Sequence, residues 1–555
     1  MNSPFSRLLG TNHAASDDEA REIHQLLARP LEKLDYLNSE ITRLETTLSV
    51  LKQERDHVEQ YIDAHKALLS PARRLPSEIL SEIFVHCLPQ GRNATRSLTD
   101  APLLLGQICR VWREVSLSTP YLWTSLHIAI PDITRDGKYL GKVMEMRTKG
   151  VETWLARSGT MLPLSVSIYA SCRMDRNYVG LLPPLLKPLF DCLAAQLYRW
   201  KEIEIETPVQ YTILFKECLD LAFPGWNHNQ LVILNTLSFQ GHGSYDGNTS
   251  LSCLFSAPNL RRISWNGFIG RMKHTHIISS KLTHLDVCFH DFDLISDQVL
   301  GLLSQFSASL QFCRLQCHIE ANMLPRAIIH FPFLQTLDLS VSAIRQGDVA
   351  AIALFFQHLS TPALHTLKIE MVSGSVSSLG LFFSPLLSPN NRIQNLDICV
   401  PSLTLDNLLQ CLALLPNLSR LSVKHGISGH DSESLLRALR PSSERPVPLC
   451  LHLQHLSLFS VRHHRDRLTQ VCLAVLDLVR TRSRRSNEVP VRELACLETI
   501  SLSQSMIVYH IPGSVLYRIE QELDKFRREG VVIDLGYSKV KDSPFEGQQV
   551  EDWSV

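Results

Sequence analysis

The sequence predicts an α/β solenoid preceded by a small all-α unit and a long N-terminal helix. Three patterns predict it. An apolar triplet, with two residues between its first and second members and one between its second and third, recurs eleven times between Trp200 and Leu502. A heptad seam runs from Leu34 to Ile62, and between these two regions Leu75 to Leu126 reads as short helices that are apolar on more than one side. At 555 residues the chain is long enough for two to four domains or for one repeat array.

Residues 1–27 are polar; Ser16-Asp17-Asp18-Glu19 has nothing to bury, so a disordered tail is expected there. Over 28–69 the character changes. Leu34, Leu37, Ile41, Leu44, Leu48, Leu51, Val58 and Ile62 follow alternating spacings of three and four, and Arg55 interrupts the series. Lys33, Glu40 and Glu54 flank the seam on one side, and Glu45, Lys52 and Glu59 on the other. Two arrangements satisfy this pattern. One is a coiled coil that joins two copies of the chain as a homodimer; the other is a single helix folded back onto the unit that follows.

That unit, 72–126, opens Leu75-Pro76-Ser77-Glu78-Ile79-Leu80-Ser81-Glu82-Ile83-Phe84. Pro76 suits a first helical position, where its missing N–H has no partner to lose, and Glu78 and Glu82 place negative charge in the opening turns. A second helix is expected from Pro102 to Ser116, with Leu104, Ile108, Val111 and Val115 as one stripe and Leu105 and Trp112 beside it. Helices this short with this much apolar surface suggest that one face is given to a partner. The Leu-Pro-x-Glu-Ile-Leu opening, the Ile108-Cys109-Arg110-Val111-Trp112-Arg113 close and the Pro120-Tyr121-Leu122-Trp123 that follows resemble the F-box motif, as found in the F-box proteins abundant in mushroom-forming fungi. The resemblance covers about fifty residues. It implies docking to the Skp-family adaptor of a cullin-RING ubiquitin ligase, with Leu75, Pro76, Ile79, Leu80 and Ile83 meeting the adaptor from the first helix and Val111 and Trp112 from the second. The polar connector from Pro89 to Asp100 is longer than in compact F-boxes.

Next, a helix is expected at Val143–Leu155 and a strand at Leu164–Ile168; Pro183, Pro184 and Pro188 should break the apolar stretch Leu181–Tyr198 into short turns. The array, placed at 160–540, carries the triplet at Trp200/Ile203/Ile205, Leu234/Leu237/Phe239, Leu260/Ile263/Trp265 and Leu282/Leu285/Val287. It continues at Leu310/Cys313/Leu315, Leu334/Leu337/Leu339, Leu364/Leu367/Ile369 and Ile393/Leu396/Ile398, and ends at Leu418/Leu421/Val423, Leu453/Leu456/Leu458 and Leu497/Ile500/Leu502. First positions lie 22 to 44 residues apart, mostly within or near the range of leucine-rich repeats. The second and third members, two apart, both point inward along a strand. Their neighbours, including His284, Asp286, Thr336, Asp338, Thr366, Lys368, Asn395, Asp397, Arg420 and Ser422, should point outward onto a concave strand face. Helix-like segments intervene at Asp297–Phe306, Asp348–His358, Leu405–Leu415, Asp431–Leu439 and Leu468–Val479. The Asn ladder of regular repeats is missing, so the array resembles irregular leucine-rich repeats. A helix at Ser514–Arg528, a closing strand at Val531–Leu535 and a loose tail, 541–555, complete the chain.

Charge is balanced, 55 basic against 55 acidic residues, which gives no bulk attraction to nucleic acid or an anionic membrane. No secretory signal or membrane span is expected. Fourteen cysteines without a Cys-x-x-Cys pair, among them Cys87, Cys192, Cys411 and Cys472 in apolar segments, read as buried free thiols in a reducing compartment, cytoplasmic or nuclear. Cys313-x-x-x-Cys317-His318, His274-x-His276 and His463-His464 lack a ligand set, so no metal and no cofactor are expected. Glu202, Glu204 and Glu206 alternate with Ile203 and Ile205 and form a solvated strand face, and no phosphate loop or nucleophile elbow occurs. Arg480-Thr481-Arg482-Ser483-Arg484-Arg485 reads as a solvated basic loop. The expected function is therefore that of a non-catalytic, substrate-recruiting subunit: adaptor on the F-box, target protein on the array. An interaction scaffold outside any ligase is the alternative.

Overall fold

The computed structural model describes residues 3–131, 137–170, 182–207, 230–241, 252–266, 279–288, 296–318, 327–342, 355–373, 392–400, 403–424, 429–441, 447–460, 468–482, 494–504 and 513–535. Contacts divide the chain into two units, Met1–Ile83 and Phe84–Val555.

The first unit is dominated by α1, Asp17–Leu68, a continuous helix of 52 residues. It starts eleven residues before the expected boundary at 28, so the N-terminal tail is shorter than the sequence suggested. The cause is a capping box. The Ser16 hydroxyl accepts from the Glu19 backbone N–H, and the Glu19 carboxylate accepts from the Ser16 N–H at 2.8 Å. The Ser16 backbone N–H first, then the Ser16 hydroxyl and His13, all bonded to the Glu19 carboxylate, hold that carboxyl below its ordinary pKa. Polar residues that have no core to join can still start a helix when they satisfy its first free N–H groups. Ser16→Ala should therefore cost the first turns about 1 kcal/mol, seen as faster amide exchange over residues 17–22 with the rest of α1 unchanged. No residue of α1 is buried.

The helix α2, Ser77–His86, crosses the boundary between the units. In the second unit the expected helix Pro102–Ser116 is two helices, α3 at Leu105–Ile108 and α4 at Arg110–Ser118. Cys109 between them is fully extended (φ −158°, ψ 172°) and caps α4, its sulfur accepting from the Trp112 N–H. Helical spacing carried across Cys109 could not foresee that turn.

The rest of the second unit is built on a 14-stranded sheet, every pair parallel. Its strands are β1 Ser125–Ile130, β2 Leu164–Ala170, β3 Trp200–Thr207, β4 Thr236–Gly241, β5 Arg262–Asn266, β6 His284–Cys288 and β7 Phe312–His318. They continue with β9 Thr336–Ser342, β11 Thr366–Ser373, β12 Asn395–Cys399, β13 Arg420–Lys424, β14 His455–Ser460, β15 Thr499–Gln504 and β16 Val532–Asp534. Two short strands, β8 Ile329–His330 and β10 Leu359–Ser360, pair separately. Each strand of the large sheet neighbours the next in chain order, the solenoid-like arrangement that stacked βα units require.

Register explains the regularity. The middle triplet members form one continuous row, from Ile203 beside Leu237 through Cys313 beside Leu337 to Leu456 beside Ile500. The third members form a parallel row two residues on, with Ile205, Phe239, Trp265 and Val287 as its first four. Both rows are buried. A slip of one residue would expose them, so burial fixes the register. The array also begins earlier than 160. Strand β1 extends both rows by one layer, placing Leu126 beside Val166 and Ile128 beside Ile168, so the sheet starts where the expected F-box ends.

Helices between strands include α5 Gly137–Arg157, α6 Leu182–Ala194, α8 Ser296–Phe306, α9 Leu405–Ala413, α10 Gly429–Ala438, α11 Leu468–Thr481 and α12 Gly513–Arg528; a single turn, α7, spans Ser252–Phe255. Successive helices pack on one another: α5 on α6, α9 on α10, α10 on α11 and α11 on α12. The segment 182–194 is one helix and not a set of turns. Pro183 and Pro184 fall in its first turn, where no N–H partner is lost, and Pro188 is exposed on the side opposite Leu186, Leu189, Phe190 and Leu193.

The connector Pro89–Asp100 lies along the open margin of β1. Ala94 O accepts from His127 N–H at 2.7 Å, its own N–H donates to Ser125 Oγ at 3.1 Å, and Ser125 Oγ donates to Asn93 Oδ1 at 2.8 Å. Arg92 and Thr95 fold the loop around Asp100. Its polarity is thus used in backbone and side-chain pairing.

Two further expectations need correcting. Cys411 and Cys472 are buried, but Cys192 is half-buried and Cys87 exposed. Burial pushes the Cys411 thiol up to about 12. Arg482, assigned to a solvated loop, is buried at 1% exposure. Its guanidinium donates to the carbonyls of Leu439, Leu449, Cys450 and Leu453 at 2.9–3.3 Å, and burial pushes its pKa down to about 10, so it stays charged. The tail 541–555, His274, His276, His463, His464, Arg484 and Arg485 lie outside the described residues, as do the side chains of Cys317 and His318.

Candidate functional site

In the first unit the predicted contact residues separate by side of the helix. Ile79 and Ile83, one turn apart, are 49% and 41% exposed, and Pro76 is exposed and Leu75 partly so. Leu80 is only 3% exposed, one turn from the fully buried Phe84. Leu80 therefore belongs to the core and not to the outward surface. A ten-residue helix with apolar residues at 79, 80, 83 and 84 has to bury one pair and present the other. The sequence shows that both pairs exist but not which pair faces inward.

In the second unit Val111 is 55% exposed, as part of an apolar set with Leu104, Ile108 and Leu117. Val115, expected in the same stripe and one turn after Val111 on α4, is buried. Trp112 is half-buried, its ring 4.9 Å from Phe84. The Pro120–Trp123 turn is anchoring structure. Trp123 is buried, donates Nε1–H to Ser116 O at 2.9 Å, packs edge-on to Trp154 at 4.8 Å, and lies under the Arg157 guanidinium.

The outward side of the sheet forms a second surface, and it is charged. Register lines up Asp286, Arg314, Asp338, Lys368 and Asp397 on five successive strands, so signs alternate along the row. Arg314 donates to Asp338 Oδ2 at 2.9 Å and to Asp286 Oδ2 at 3.2 Å; Lys424 reaches Asp397 Oδ2 at 2.9 Å. Arg314, Asp338, Lys368, Asp397 and Lys424, with Gln316, Ser340, Glu370, Cys288 and Cys399, line an open groove of about 440 Å³. Burial raises the Asp286 carboxyl, partly opposed by Arg314; burial also lifts the Cys288 thiol to about 11, away from nucleophilic character. The Lys424 ammonium is held above its ordinary value by its bond to Asp397. The other Asp397 oxygen, Oδ1, is buried with no hydrogen-bond partner. Asp286, Asp338, Lys368 and Asp397 were visible as outward strand positions. Arg314, Glu370 and Lys424 are not among the expected outward residues, although Arg314 sits between the triplet members Cys313 and Leu315 and follows the same alternation.

Glu202, Glu204 and Glu206 stand on the solvent side of β3, as alternation required. Among the described residues no group of three or more His, Cys, Asp or Glu could hold a metal, and no helix is long and apolar enough to cross a membrane. No family model and no curated protein matches the chain.

Proposed function

We propose that this chain is the substrate-recruiting F-box subunit of a cullin-RING ubiquitin ligase, docking a Skp-family adaptor through the F-box and a target protein through irregular leucine-rich repeats. The observation that carries the proposal is the helix begun by Leu75-Pro76-Ser77-Glu78-Ile79-Leu80, with Ile79 and Ile83 held out to solvent. Branched apolar side chains left exposed on a short helix are the material of a protein contact. The F-box resemblance assigns Leu75, Pro76, Val111 and Trp112 to the same contact. The charged outward side of the sheet then serves as target surface. The subunit performs no covalent step; it raises the local concentration of target lysines near the ubiquitin-carrying enzyme.

The test is capture of the adaptor by the full chain. Ile79→Ala with Ile83→Ala should weaken capture roughly tenfold or more while leaving the urea midpoint nearly unchanged, because neither side chain is buried. Undiminished capture would sink the adaptor assignment. An interaction scaffold outside any ligase remains the second reading, favoured by a long helix whose apolar seam is open along its whole length. It predicts that cullin is absent when adaptor and chain are purified together.

A further inference from the structure

We propose that two copies of the chain pair through α1 as an antiparallel coiled coil that overlaps along the entire helix. The seam residues Leu34 to Ile62 are 42–57% exposed, so the first unit itself does not cover them. Because the helix begins at Asp17, the heptad series also extends further than the stretch from Leu34 to Ile62. Positions 20, 27, 34, 41, 48, 55 and 62 form one seam column and 23, 30, 37, 44, 51, 58 and 65 the other.

In an antiparallel pair the two columns face each other, and overlap of Asp17 with Leu68 sets residues whose numbers sum to 85 in each layer. The layers are Ala20–His65, Ile23–Ile62, Leu27–Val58, Pro30–Arg55, Leu34–Leu51, Leu37–Leu48 and Ile41–Leu44, each formed twice. The two residues that interrupt the seam, Pro30 and Arg55, meet in one layer, and five of the other six are wholly aliphatic. The flanking charges agree. Lys33 falls beside Glu54 of the second copy, and Lys66 beside Asp17, with no like charges opposed. None of these four makes an ion pair within its own chain among the described residues, whereas Glu40 is already taken by Arg43 and Arg55 by Asp56.

The parallel in-register alternative fares worse on each count. It would set Arg55 against Arg55, Pro30 against Pro30 and His65 against His65, and would place Glu40 beside Glu45 and Glu54 beside Glu59. Opposed helix dipoles also favour the antiparallel arrangement. The pairing holds or fails independently of adaptor binding, since it uses only α1.

Light scattering on the full chain should give twice 62.8 kDa at micromolar concentration. Glu54→Lys separates the two orientations by sign. Antiparallel pairing sets the new lysine against Lys33 and weakens the dimer roughly tenfold, and adding Lys33→Glu restores it. Parallel pairing would relieve the clash with Glu59, and the dimer would tighten. Zero-length carbodiimide coupling of mixed isotope-labelled and unlabelled copies should join Lys33 to Glu54, which within one helix stand about 31 Å apart and cannot be coupled. A monomer at tens of micromolar, a dimer that Glu54→Lys tightens or leaves unchanged, or a dimer without the Lys33–Glu54 product would each overturn the proposal.

Discussion

Arg482→Met should lower the stability of the Phe84–Val555 unit by about 3–5 kcal/mol, read as a fall in urea midpoint with the slope preserved. Methionine replaces most of the stem, so lost packing is a minor part. The loss lies in the carbonyls of Leu439, Leu449, Cys450 and Leu453, which converge on one guanidinium and lose their donor with it. Each carbonyl left dry costs about 1–3 kcal/mol, with partial relief where water enters. One of the acceptors, Cys450, is in a left-handed conformation, φ 53°, that a non-glycine residue rarely adopts. Arg482→Lys should recover only part of the loss, because one ammonium cannot reach four carbonyls arranged for a planar fork. A methionine variant as stable as the parent would refute this account of the C-terminal repeats.

Leu421→Ala should cost about 3–4 kcal/mol. Leu421 is fully buried on β13, in register with Leu396 on one side and Leu456 on the other. Removing its side chain leaves a void that the sheet cannot close, because shifting one strand would disturb the rows on both neighbours. In a stacked array the damage should be local. Hydrogen exchange should quicken on β12, β13 and β14 and change little on β3 and β4. Arg420→Ala, one residue away on the solvent side, should stay within about 0.5 kcal/mol. Equal losses from the two substitutions would contradict the inward and outward assignment of β13.

Much of this array was legible because a stacked sheet repeats one constraint many times. Each triplet, such as Leu334/Leu337/Leu339, is weak alone, but eleven in succession require the same inward face. What escaped notice depended on single events. Cys109 breaks a helix that the apolar spacing carried straight through. Ser16 and Glu19 start one where there is nothing to bury. Pro188 is tolerated because it lies on an exposed helix side. Arg482 looked like solvated charge because neighbouring arginines set the local composition, and only the converging carbonyls reveal its place. At the candidate site the apolar pairs of α2 were readable, but the choice between Leu80 and Ile79 as the inward residue belongs to the fold.

The connector along β1 bears on the solubility of so long a parallel sheet. A sheet with bare margins invites the next copy to add on, strand against strand, without end. Here one margin is occupied by Ala94 and Asn93, and the other closes on a strand of only three residues, Val532–Asp534. Among the described residues neither margin offers a long free strand, and loosening the 89–100 loop should show itself first as filament growth rather than as unfolding.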